Sequence, residues 1–259
     1  MDLNSILKKH QLEPGTTKTV EIGCVSLIIK RLKEGWHLET VDNCPDDEID
    51  LDELSTVSDY FQTGKSNILI IAPALPMKPM LFKGSGVNVL PNQKLTMFVK
   101  IPLTFQVYFS KINPENLLRE ITYNRLSATW FGEPDTGEPA YTLNSEYFLN
   151  FDEIKITGFE AICPITVKNS ALYNLDIQRL IIRDEYLAIY KSGDKMVTSH
   201  VNIEFKGREI ISNVDYKYSK RYHGEKHEML AEPRSEYGKS NLKLNFHFMK
   251  RLTNQSDEF

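Results

Sequence analysis

LTMFVKIPLTFQVYF, residues 95–109, is the stretch from which the fold can be read. Its odd positions are all apolar: Leu95, Met97, Val99, Ile101, Leu103, Phe105, Val107 and Phe109. The even positions carry Thr96, Lys100, Pro102, Thr104 and Gln106, with Phe98 and Tyr108 as exceptions. A period of two is the signature of a strand, because successive side chains point to opposite faces of a sheet. The apolar phase runs unbroken through Pro102, which excludes a one-residue bulge there, since a bulge would exchange the faces. Proline has no N–H to give to a ladder. Pro102 therefore predicts that 95–109 either lies at a sheet edge near that residue or crosses there from one sheet to another. The same expectation attaches to Pro164 within FEAICPITVK, residues 159–168.

Outward from this strand the chain continues to read as strands. Downstream come 121–131, 141–151, 159–168, 175–182, 186–190, 196–205 and 209–218, separated by short polar turns such as Ser192-Gly193-Asp194. Upstream, VEIGCVSLIIK (20–30) reads as one strand, with WHLETV (36–41) as its hairpin partner after Gly35, and ILIIA (68–72) as a further strand. Short helices are expected over 1–11, over 114–120 behind an Asn113-Pro114 start, and leading through Tyr60. Residues 220–240 read as a long mobile loop, 242–248 as a closing strand and the last residues as a disordered tail. There is no βαβ rhythm. The expected fold class is all-β, an antiparallel β-sandwich or sandwiches with one or two short helices. Prolines 73, 76 and 79 with Gly84 and Gly86 suggest a boundary, giving an N-terminal β-rich segment or small domain, 1–83, and a sandwich domain, 84–259.

Composition bounds the function. The 259 residues are 41% hydrophobic and 25% charged, as in an ordinary soluble domain that can bury its own core. Net charge is −4, which argues against nucleic acid as the main partner. The opening residues lack the apolar run of a signal peptide and no run is long enough to span a bilayer. The three cysteines, Cys24, Cys44 and Cys163, have no paired spacing and read as reduced thiols. These features together lead to the expectation of a cytoplasmic protein.

Three stretches could carry chemistry. WFGEPDTGEPAY (130–141) sets Glu133, Asp135 and Glu138 beside Trp130, Phe131 and Tyr141. Carboxylates among aromatics suit carbohydrate binding, or glycoside hydrolysis with one carboxyl as acid and another as nucleophile or base. Gly and Pro at these spacings also make an ordinary strand connection. His223 and His227 stand four apart, a zinc-like spacing if the segment is helical, although Gly224 opposes a helix and no third ligand is evident. KYSKRYHGEK (217–226) mixes basic and aromatic residues, as nucleic-acid surfaces do. It also balances the acidic block 42–53, which has seven carboxylates but not the glycine of a calcium loop. Gly64-Lys65-Ser66 is no phosphate loop, because the first glycine is replaced by Asp59.

The order of three features resembles an uncharacterised family, domain of unknown function 432 (DUF432). The first is NILIIAPALP followed by a Leu-Pro-Asn-Gln turn into 95–109. The second is Phe131-Gly132-Glu133-Pro134 with Gly137, leading to Ser145-Glu146-Tyr147. The third is ICPITVKNSALYNLDIQRLII, continued through YLAIYKSGDKMVTSHVNIEF. The resemblance covers roughly residues 20–218. The chain departs from the pattern at Tyr141-Thr142-Leu143 and in the polar segment 220–240. The resemblance implies a β-rich fold and no particular activity. The functional expectation is a non-enzymatic binding module with a protein partner or a homo-oligomeric state and no cofactor. The alternative is a small-molecule or carbohydrate enzyme using 130–141.

Overall fold

A computed structural model describes residues 6–44, 56–123, 126–132, 135, 137–143, 146–207 and 213–236. Its strands are β1 (Lys9–Gln11), β2 (Thr17–Ile22), β3 (Val25–Arg31), β4 (Gly35–Asp42), β5 (Thr56–Gln62), β6 (Ile68–Ala74), β7 (Met80–Val89), β8 (Lys94–Pro102), β9 (Thr104–Phe109), β10 (Leu117–Ile121), β11 (Ala128–Phe131), β12 (Glu138–Leu143), β13 (Glu160–Asn169), β14 (Leu175–Ile182), β15 (Ile189–Ser192), β16 (Lys195–Thr198), β17 (His200–Phe205), β18 (Asn213–Lys217) and β19 (Met229–Ala231). One four-residue helix, α1 (Lys220–His223), and two 3-10 turns complete the described elements. The protein is all-β.

The strands form four sheets, ordered β1-β6-β9-β10, β11-β12-β7-β14, β18-β17-β13-β16-β15-β19 with β8 also on β13, and β2-β3-β4-β5. Most pairings are antiparallel, while β12–β7, β13–β16 and β13–β17 are parallel. One apolar core runs through these sheets from Ile6 to Val214 and includes residues of β3, β6, β9, β13 and β17. The 83/84 division expected from the prolines falls inside β7, which pairs with β12 and β14.

The stretch 95–109 crosses between sheets at Pro102. Up to that residue, as β8, it pairs along its length with β13. After Leu103 it continues as β9, between β6 and β10 in another sheet. Its odd positions Met97, Val99, Ile101, Leu103, Phe105 and Val107 are all fully buried, so one apolar phase serves two sheets. Pro164 solves the same problem differently. It sits in the middle of a central strand, opposite Phe98 of β8. Phe98 exchanges both its backbone hydrogen bonds with Phe148, at 2.9 Å each, so it asks nothing of Pro164. On the other side of β13 the partner changes from β16, at Ile162, to β17, from Ile165 onward. The missing N–H falls in that gap, and no edge or crossing is needed.

Several local expectations are corrected. VEIGCVSLIIK is two strands, not one: the chain reverses at Gly23, whose φ of +63° suits glycine. A Cβ there would also meet the Tyr123 ring at 2.8 Å. Residues 9–11 are a strand against β6, so the helix expected over 1–11 does not reach them, and its first five residues lie outside the described ones; 56–62 are β5 and not the helix expected through Tyr60. The 114–120 helix is a single 3-10 turn, Pro114–Asn116, capped by Asn113 as the sequence suggests. Leu117 then enters β10, because pairing with β9 outweighs local helix propensity. Met196–Phe205 breaks at Ser199 into β16 and β17. Within the segment read as a mobile loop, 220–236 holds α1 and β19, the latter paired with β15. The remainder of that segment, the closing strand 242–248 and most of the acidic block lie outside the described residues.

The cysteine expectation is also overturned: Cys24 and Cys44 are joined as a disulfide, and Cys163 alone is a thiol, buried in the core. The β3–β4 register pairs Val25 with Asp42 and so carries the two cysteines to the open end of the same hairpin. Spacing along the chain does not show this, but counting register outward from the turn does.

Gly35 starts β4 where β5 lies closest. A Cβ there would run into the Phe61 carbonyl oxygen and come within 2.8 Å of the Tyr60 hydroxyl. Gly35→Ala should cost about 2–3 kcal/mol by forcing β5 outward. Urea unfolding of the two proteins checks this, and a loss under about 0.5 kcal/mol would show that the hairpin yields freely.

Candidate functional site

The structure distributes the described residues of 130–141 rather than gathering them. β11 and β12 form a hairpin that pairs Phe131 with Glu138 and Trp130 with Pro139. Alternation along β11 sends Phe131 into a small core with Leu81, Ala140 and Ile181, and leaves Trp130 exposed. Tyr141 is half-buried, with the Lys78 ammonium 5.2 Å from its ring centre. Glu138 is engaged by Arg183, whose two terminal nitrogens reach its two oxygens at 3.1 and 2.5 Å. Arg183 is itself buried, so this fork-shaped pair holds β12 to the end of β14. Asp135 is exposed, and Glu133 lies outside the described residues. Neither of the two cavities described below is lined by residues of this loop.

The two histidines also part company. α1 ends at His223, and Gly224 caps it with φ +85°, so the helical spacing stops before His227. His223 is buried, with Nε2 2.7 Å from the Thr198 carbonyl and Nδ1 accepting the Ser219 N–H at 2.7 Å. Both ring nitrogens are thus occupied by backbone. His227 is exposed and packs on Tyr218 and Tyr190, with ring centres 4.6 and 5.2 Å away. Basic residues of 217–226 have acidic neighbours: Lys217 pairs with Asp215 and Lys220 with Glu225, at 2.8 and 3.0 Å.

The feature with the most chemical content is one the sequence does not announce. A cavity of about 670 Å³ lies between the face of β6 and β9 on one side and β15 and β19 on the other. Leu75, Tyr108, Leu187 and Ile189 give it apolar walls, and Ile112, Leu117 and Met229 stand exposed at its rim. Asp184, in the 3-10 turn Asp184–Tyr186, also lines it. Its side chain has no exposed surface, and neither carboxyl oxygen has a hydrogen-bond partner among the described residues. The charge nearest to it is Arg234, 3.4 Å from Oδ2. Arg234 gives its shorter bonds elsewhere, to the Leu75 and Pro76 carbonyls at 2.7 and 2.6 Å. Burial, with Glu185 adding to it, outweighs the opposing pull of Arg234 and pushes the carboxyl up to about 8. On the facing wall the Tyr108 hydroxyl donates to Gln106 and the Gln106 amide to Glu120, at 2.6 and 2.9 Å.

A second cavity, about 620 Å³, is lined by Asp152, Asp194, Lys191, Lys195 and Glu228 among others. Three of its charges are engaged: Lys191 pairs with Glu228 at 3.7 Å, and Lys195 donates to the Phe151 carbonyl at 3.3 Å.

Asp184 escaped the sequence reading because Arg-Asp-Glu-Tyr between two strands looks like any polar turn. Burial is contributed by Ser235 and Arg234, fifty residues further along, where Ser235 donates its N–H to the Glu185 carbonyl at 2.9 Å. No helix of the described residues is long and apolar enough to cross a membrane.

Comparison with known proteins returns one result. The model of a family described as "Protein of unknown function (DUF432)" matches residues 6–250, which extends beyond the motifs that carry the resemblance and includes the polar segment 220–240. No curated protein and no solved structure matches the chain. With nearly its whole length matched by that model, the chain belongs to the DUF432 family.

Proposed function

We propose that the protein is a non-enzymatic β module whose recognition surface is the groove holding Asp184, and that its partner presents a lysine or arginine side chain flanked by apolar residues. The observation that carries this reading is a fully buried carboxyl lining an apolar cavity with no hydrogen bond of its own. A buried acid whose ion pair is a long contact to an arginine engaged elsewhere costs stability, and such groups concentrate at sites where a ligand supplies a closer partner. A cation entering the groove draws the carboxyl to its ionised form, gains a charge-assisted hydrogen bond at Oδ1, and releases a proton. The apolar rim supplies the remaining attraction and a mouth wide enough for an extended peptide.

The reading favours binding over catalysis because Glu138, one of the three acids of the 130–141 loop, is tied to Arg183. A cytoplasmic location loses the support of three free thiols, since two are paired, and rests on reversibility of that pair.

The test is titration calorimetry of the full chain at pH 7 with the capped peptide Leu-Arg-Leu, in two buffers of different ionisation enthalpy. Saturable binding with proton release is expected. Affinity should fall at least about tenfold for the citrulline peptide, which keeps the shape and loses the charge, and similarly for Asp184→Asn. Absence of binding, or binding indifferent to the peptide's charge, would overturn the proposal.

A further inference from the structure

The Cys24–Cys44 corner holds more than a structural cross-link. Cys24 lies in the turn with Gly23, immediately before β3, and Cys44 follows the end of β4. The Asn43 N–H donates to the Cys24 carbonyl at 3.0 Å, and the two Cα atoms are 4.8 Å apart. Asp42 is drawn into the same corner, its Oδ1 accepting the Cys44 N–H at 2.9 Å. One ligand atom from each of Cys24, Asp42 and Cys44 lies within 4.8 Å of the others, and all three residues are half-buried. Among the described residues no other trio of His, Cys, Asp or Glu is so gathered.

A second observation points away from a permanent disulfide. Both sulfurs lie 3.4 Å from one acceptor, the Tyr123 carbonyl oxygen. In the disulfide neither sulfur has a proton to donate. After reduction either thiol can donate to that oxygen, so the corner is arranged to receive the reduced pair as well as the oxidised one. Tyr123 is firmly placed to do this. Its ring packs over Gly23 and its hydroxyl donates to the Phe159 carbonyl at 2.7 Å.

We propose that reduction opens a binding site for one thiophilic divalent cation of the zinc class, with the Cys24 and Cys44 thiolates and the Asp42 carboxylate as ligands, and that oxidation closes it. Two sulfurs and one carboxylate oxygen select zinc or cadmium over magnesium or calcium and leave the fourth tetrahedral position to water. The step balances with a dithiol reductant. Two electrons and two protons pass from it to the Cys24–Cys44 bond, which becomes two thiols, while the reductant closes to its own disulfide. Cation binding then displaces the two thiol protons to solvent, so affinity rises with pH. Oxidation by a disulfide reverses the exchange and releases the cation. Half-burial admits the reductant while sheltering the pair. Cys163 takes no part, because it is buried in the core and its thiol is pushed up to about 12.

The experiment uses the full chain, reduced with a dithiol, freed of reductant without air, and titrated with cadmium alone. A thiolate-to-cadmium charge-transfer band should grow to one equivalent in the reduced protein and be missing from the oxidised one. Cys24→Ser and Cys44→Ser should abolish it while circular dichroism shows the sheet intact, and Cys163→Ala should keep it. Asp42→Asn, measured against a competing chelator, should weaken binding by about tenfold or more. No cadmium uptake after reduction, equal uptake by the oxidised protein, or an Asp42→Asn affinity equal to wild type would each overturn the assignment.

Discussion

Asp184→Asn is expected to stabilise the protein strongly at neutral and alkaline pH and hardly at all near pH 4. The folded carboxyl sits at about 8, well above its ordinary value of 3.8, because burial disfavours its charge. A group raised in this way contributes fully below its unfolded value and loses that contribution as pH rises toward the folded one. Between pH 4 and pH 8 wild-type stability therefore carries a falling component, worth on the order of 6 kcal/mol from a shift of this size at 1.36 kcal/mol per unit. Asparagine does not titrate and removes the slope. In a chain of this length the gain corresponds to roughly 10 °C in melting temperature at pH 8. The readout is the difference between the two stability–pH curves. Taking the difference matters, because His200 is lowered to about 4 and His223 is also lowered, both chiefly by burial. These two histidines lose stability as pH falls through 6.5, the opposite direction, and cancel in the comparison. Parallel curves would mean that Asp184 is solvated, or that the pull of Arg234 outweighs its burial. A natural sequence that keeps so costly a carboxyl is behaving as binding sites do, where stability is given up for a ready partner.

Arg31→Met should be the most damaging single change outside the apolar core. Arg31 ends β3 and is 1% exposed. Its guanidinium donates to the carbonyls of Leu32, Gly35 and Gly64, the latter two at 2.7 and 3.0 Å, and to the Asn67 side chain at 3.1 Å. It also lies 5.1 Å from the Trp36 ring centre. These contacts span the β3–β4 turn and the link from β5 to β6, so one side chain joins two sheets. Methionine is of similar volume and takes away a donor from each of four acceptors, of which the Gly35 carbonyl keeps the Leu32 N–H. A loss of about 3–5 kcal/mol is expected in urea unfolding. Arg31→Lys should recover only part of it, since an ammonium lacks the fork that reaches several carbonyls. A cost below about 1 kcal/mol for methionine would show that water replaces the guanidinium at no penalty.

Much of the fold was legible in particular residues. The alternation of 95–109 and the position of Pro102 announced a strand that changes sheets, and Leu175–Ile182 has the bounds its pattern suggested. Asn113 caps its turn as expected, yet the turn stops after three residues because Leu117 finds a partner in β9. The helix expected through Tyr60 failed for the same reason, and so did the last residues of the one expected over 1–11, since propensity is local and strand pairing is not. The site was far less legible. Of the 130–141 residues, Phe131 went to the core and Glu138 to an arginine 45 residues away. Asp184 became conspicuous only when Arg234 and its neighbours covered it.

The sequence by itself determined the all-β class, the apolar phase of the strands and the family, because these depend on periodicity and order along the chain. Tertiary structure decided which strands meet, which cysteines join and which acid is buried with no hydrogen bond to its carboxyl. Those outcomes depend on burial and charge contributed by residues distant in the chain, and no local pattern records them.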